Sequence, residues 1–130
     1  MIKKFRAPIK TRGGYIFIFS KDHDVTFYND YVQFWQGLSK FKIEHKDVML
    51  CSDMKDITGD DIYEGDIIHW EYWDEWEDRG KAQVVIKDGC FKLLDIKDGK
   101  EVWENLYECI ENCTVYLDGH IYQSDFKDSR

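Results

Sequence analysis

Proline is nearly absent: Pro8 is the only one in 130 residues. Breaks in the backbone must then come from the nine glycines and from Asp and Asn, which accept turn geometry for their own steric and hydrogen-bonding reasons. Long apolar runs are absent as well. The longest, Tyr15 to Phe19, is far too short to cross a bilayer. Residues 1–12 are basic and lack the apolar centre of a secretory signal. The chain reads as a cytoplasmic protein with no membrane contact. Thiols stay reduced there, so Cys51, Cys90, Cys109 and Cys113 read as small buried hydrophobes.

Positive charge is in short supply. Eighteen basic side chains face 26 acidic ones, a net charge of −8. Such a surface repels a phosphate backbone within about one Debye length, ~8 Å at physiological salt. Nucleic acid is therefore the less favoured partner, and its one candidate patch is Lys3, Lys4, Arg6, Lys10 and Arg12. The acidic balance serves solubility, or selects a protein with a basic surface.

Catalytic motifs are missing too. There is no Gly-x-Ser-x-Gly elbow and no phosphate-cradling glycine loop. His23, His45, His69 and His120 are scattered along the chain. Cys109 and Cys113, with His120 nearby, supply one ligand pair where a structural zinc site takes two. Asp53, Asp56, Asp60 and Asp61 lack the alternation and the closing Glu of a calcium loop. No cofactor, metal or catalytic residue is expected, and the chain reads as non-enzymatic.

What the chain does have is aromatic and β-branched residues, with 16% aromatics. Ile2 to Ala7 reads as a short strand and Arg12-Gly13-Gly14 as a turn. Tyr15 to Phe19 is the strongest strand signal, with Val25 to Tyr28 as its return partner. Asn29 to Leu38 reads as a short helix, with Tyr31, Phe34, Trp35 and Leu38 on one face. Strands follow at Phe41 to Ile43, Val48 to Cys51, Asp66 to Trp70, Ala82 to Ile86 and Cys90 to Ile96, with a tight turn at Asp88-Gly89. Glu101 to Asn112 carries Val102, Leu106, Cys109 and Ile110 at helical spacing, and Cys113 continues the row. Thr114 to Leu117 is a strand, Asp118-Gly119 a turn, and Ile121-Tyr122 a last strand. The class is α+β, mainly β. An SH3-like barrel core spans about residues 54–122, with an N-terminal β extension and one helix over about 101–112. The organisation is one domain over 1–130: a β-rich part at 1–50, the barrel-like core at 51–124 and a frayed tail at 125–130.

The segment Met54-Lys55-Asp56-Ile57-Thr58-Gly59-Asp60-Asp61-Ile62-Tyr63-Glu64-Gly65-Asp66-Ile67-Ile68 resembles the signature of the YopX family. Lys4-Phe5-Arg6-Ala7, Val84-Val85 with Asp88-Gly89-Cys90-Phe91, and Gly119-His120-Ile121-Tyr122 resemble further elements of that family, in the same order. Two departures stand out: Pro8 and Ile9 follow Ala7 where the family has Trp-Asp, and residues 15–50 and the Trp-rich stretch after Ile68 match nothing in it. The resemblance implies a protein of phages and prophages with a β-rich core plus helix, and it leaves homo-oligomers open. It implies no catalytic activity, so no site residue is carried over. Read physically, the segment is a corner. Gly59 and Gly65 supply unusual φ values, and Glu64 and Asp66 can accept backbone N–H bonds where the strand enters.

The unusual stretch is Trp70-Glu71-Tyr72-Trp73-Asp74-Glu75-Trp76-Glu77-Asp78. Alternation puts Trp70 in the core. The candidate partner-binding residues are Trp70, Glu71, Trp73, Asp74, Glu75, Trp76, Glu77 and Asp78, because aromatic anchors hold a partner and acids select a basic one. The expected role is a phage accessory protein that binds a host protein or itself. A nucleic-acid-binding regulator and a self-assembling structural module are the alternatives.

Overall fold

The computed structural model describes residues 4–72 and 79–122. The chain divides into two compact units, Met1–Cys51 and Ser52–Arg130, each with its own apolar core.

In the first unit, β1 (Phe5–Thr11) and β2 (Gly14–Phe19) form a hairpin with Ala7 opposite Ile18. The first half of β6 (Met49–Lys55) pairs with β1 at only two positions, Phe5 opposite Leu50 and Arg6 opposite Met49. Pro8 stands just beyond that pairing, where a missing N–H costs no ladder bond. A second sheet has the order β3 (Asp24–Phe27), β4 (Tyr31–Gln36), β5 (Ser39–Glu44). Phe5, Ala7, Ile18, Val32, Phe34 and Ile43 make the core.

Two expectations are corrected here. Residues 29–38 are not helical. Val32 and Phe34 are buried at strand spacing, and Leu38, assigned to the apolar helix face, is fully exposed at the hairpin tip. Aromatic residues at i and i+3 also satisfy a strand once Gly37 turns the chain, and the β-sheet core decides between the two. Val25 to Tyr28 likewise does not return on Tyr15 to Phe19. β3 pairs with β4, and β2 has β1 beside it.

In the second unit, β7 (Asp61–Tyr63) lies within the signature segment, Met54 to Ile68. A five-stranded antiparallel sheet follows, with β8 (Asp66–Tyr72), β9 (Arg79–Lys87), β10 (Cys90–Asp95), β11 (Glu101–Val102) and β12 (Cys113–His120) in the order β11-β10-β9-β8-β12. The mainly β class with one helix is the class observed. The turn at Asp88-Gly89 has both residues at positive φ, 54° and 78°, the geometry that continues strand twist through a two-residue hairpin.

The helix α1 (Leu106–Asn112) is shorter than the 101–112 expected. Glu101 and Val102 join the sheet, Trp103 adopts φ 59°, and Asn105 caps the helix by accepting from the Glu108 N–H at 2.8 Å. Asp118 and Gly119 do not turn the chain. β12 runs on to His120 through a register shift between Leu117 and Gly119, and Ile121-Tyr122 is turn, not strand. The tail beyond Tyr122 lies outside the described residues.

Ile62, Ile68, Val84, Leu93, Leu106 and Cys109 are fully buried. Each of the larger aliphatic ones contributes about 1.5–3 kcal/mol.

Candidate functional site

Three aromatic rings gather where β8 runs into the acidic stretch. Trp70 is buried to 8% exposure. It lies opposite Gly80 on β9 and Val115 on β12. Trp103 meets Trp70 edge-on, with centroids 5.4 Å apart at 84°, and lies parallel to Tyr72 at 6.0 Å and 10°. Gly80 is there for space. A Cβ built on it would come 2.9 Å from Trp70 Cζ2, so the ring covers the glycine backbone directly. Among the described residues the buried Trp70 Nε1 has no hydrogen-bond partner. On the opposite face the Glu71 Oε1 lies 3.2 Å from His69 Nε2, and the His69 ring lies edge-on to Tyr116 at 6.1 Å.

The structure thus places Trp70 in the core, as alternation required, and Glu71 on the other face of β8, between Arg79 of β9 and Thr114 of β12. Trp73, Asp74, Glu75, Trp76, Glu77 and Asp78 lie outside the described residues. Trp103 is the member of the cluster that the sequence did not reveal. Helical spacing assigned it no role, and a positive φ at a tryptophan has no local signature.

The signature segment is the corner it was read to be, with glycines at φ 92° (Gly59) and 88° (Gly65). Asp56 holds it shut. Its Oδ1 accepts from Thr58 N at 2.9 Å, Thr58 Oγ1 at 2.6 Å and Asp60 N at 3.0 Å, and its Oδ2 from Leu117 N on β12 at 3.1 Å. Burial alone would raise this carboxyl. The Thr58 hydroxyl and the N–H groups of Leu117, Asp60 and Thr58 outweigh it and hold the pKa below the ordinary 3.8. Asp66 works similarly: buried, it accepts from the Tyr63 N–H at 2.7 Å. Both carboxylates are committed to backbone donors.

The cysteines divide. Cys51, Cys109 and Cys113 are buried, whereas Cys90 is exposed, which corrects its reading as a buried hydrophobe. Burial, with Cys113 beside it, pushes the Cys109 thiol far above its ordinary value. Brief iodoacetamide treatment of the native protein is expected to modify Cys90 alone, and denaturant to expose the other three. Mass spectrometry reads the result directly. The N-terminal basic patch also changes: Lys3 is outside the described residues, and Arg6 is buried with its guanidinium 3.9 Å over the Phe17 ring.

Both units together define a mainly β scaffold with one short helix. The crystal structure of protein YopX from Bacillus subtilis has this fold. The two share 16% sequence identity and a TM-score of 0.62, over 96% of this chain and 97% of that one. The fold implied by the resemblance at Met54 to Ile68 is therefore the fold observed. No protein-family model and no curated protein matches the chain. Among the described residues, no helix is long and apolar enough to cross a membrane.

Proposed function

We propose that this chain acts without catalysis, by binding a protein with a basic surface through its second unit. The observation that supports this is the segregation of charge. Residues 52–130 hold 21 acidic and nine basic side chains, a net of −12, while residues 1–51 hold nine basic and five acidic ones. A strongly acidic surface steers a basic partner and raises its on-rate. The Trp70–Tyr72–Trp103 cluster lies where β8 ends, and aromatic and acidic residues alternate in the sequence that follows it. The non-catalytic part of the reading is supported by Asp56 and Asp66, whose carboxylates serve backbone N–H groups. The resemblance to YopX proteins makes a host protein the favoured partner, with a nucleic-acid-processing or defence protein as the class whose basic surface suits it. The cytoplasm of a bacterial cell is then the place of action.

The experiment is affinity capture from a bacterial lysate with the intact chain and with Glu71, Asp74, Glu75, Glu77 and Asp78 changed together to Gln or Asn. The intact chain is expected to retain a basic protein at low salt, to lose it progressively at high salt, and to lose it in the five-fold variant. Equal capture by both chains overturns the assignment of the surface.

A further inference from the structure

The two edges of the β3–β4–β5 sheet differ in a way that points to a partner. The connection from Gln36 to Ser39 has two residues, which makes Gln36 and Ser39 the closing hydrogen-bonded pair of the hairpin. Main-chain bonds between β4 and β5 then run through Gln36, Phe34 and Val32, and those between β4 and β3 through Trp35 and Gln33. The Tyr28 N–H to Tyr31 C=O bond at 2.9 Å fits this phase. On β3 the bonded partners are Asp24 and Thr26, so Val25 and Phe27 direct N–H and C=O away from β4. On β5 the outward positions are Lys40, Lys42 and Glu44.

The β5 edge is therefore guarded by a charged side chain at every outward position, the usual defence of a sheet edge against pairing. Among the described residues the β3 edge has no such guard. Its outward positions are Val25 and Phe27, and Phe27 is 51% exposed although it lies on the same face as the core residues Val32 and Phe34.

We propose that two copies of this chain pair through β3, antiparallel, about a two-fold axis at Thr26. The strand is self-complementary in this register. Val25 of one copy stands opposite Phe27 of the other and exchanges both main-chain bonds with it. On the apolar face, each pair sets a β-branched side chain against an aromatic one, a favourable cross-strand contact. On the other face the two Thr26 side chains meet, and Asp24 stands opposite Tyr28. The surface is isologous, as a two-fold contact must be. It is also small beside a standard interface of about 1,600 Å², so the dimer forms weakly and with concentration. This contact lies wholly in the first unit and is independent of the acidic surface proposed above.

The test uses Thr26, which is exposed and meets only its own copy. Sedimentation equilibrium from about 10 µM to about 1 mM, the range in which a contact of this size acts, is expected to show a monomer–dimer equilibrium for the intact chain. T26K and T26E each place like charges across the axis. Each alone is expected to self-associate at least ~fivefold more weakly, and an equimolar mixture of the two to pair again. Amide exchange at Val25 and Phe27 should slow with concentration in the intact chain only. A monomer throughout the range overturns the proposal. So does a dimer that T26K and T26E form as readily as the intact chain.

Discussion

Asp56→Ala lowers the stability of the second unit by about 3–5 kcal/mol, because it strands several buried or half-buried donors at once. Thr58 N, Thr58 Oγ1, Asp60 N and Leu117 N all lose their acceptor. Asp56→Asn keeps the shape but offers one carbonyl oxygen, and an NH2 group that faces an N–H, so it recovers only part of the loss. The pH dependence has a fixed sign. The folded carboxyl titrates below its ordinary 3.8, so its contribution is complete above the unfolded value. It is lost as the pH falls through the folded one. Urea unfolding from about pH 6 to about pH 2 should show this acid-side slope in the intact chain and a shallower one in Asp56→Asn. Equal stability of Asp56→Ala and the intact chain would show that the corner does not depend on the carboxylate.

Trp70→Ala is the second large effect, about 3–5 kcal/mol for a buried indole. Trp70→Phe is expected to cost less than about 1.5 kcal/mol. It keeps an aromatic ring over Gly80 and against Trp103, and it removes an indole N–H that has no partner among the described residues. Gly80→Ala tests the same contact from below: the added Cβ would sit 2.9 Å from the Trp70 ring, and overpacking of this kind costs typically 1–3 kcal/mol. Thermal unfolding of the three variants, followed by circular dichroism, ranks them. If Trp70→Phe were as unstable as Trp70→Ala, then the indole N–H, and not the ring, would be what matters.

The parts of the fold that were legible in the sequence are those set by local chemistry. Asp88-Gly89 turns a hairpin because both residues tolerate positive φ. Gly65 and Asp66 mark a corner because one bends the chain and the other accepts the Tyr63 N–H. Residues 31–36 were misread because Tyr31, Phe34 and Trp35 satisfy a helical stripe as well as a strand. What decided was Val32 and Phe34 joining a core built largely from other strands. Helix α1 was visible from Leu106 onward, but its start depends on Trp103, whose ring packs on residues some thirty positions earlier in the chain. The candidate surface was half legible. Alternation placed Trp70 inward correctly, while Gly80 beneath its ring comes from β9 and Trp103, which completes the aromatic cluster, from the approach to α1, neither at a spacing readable from it.

The Asp56 corner also dictates an order of events during synthesis. Its acceptor and two of its donor residues, Thr58 and Asp60, emerge from the ribosome together, but the Leu117 N–H that closes it, and the Val115 C=O that receives the Ile57 N–H at 2.9 Å, follow some sixty residues later. A nascent chain can bend at Gly59 early, yet it cannot lock that bend until β12 has been translated. Completion of this unit is thus tied to the translation of β12 and not to that of the corner itself.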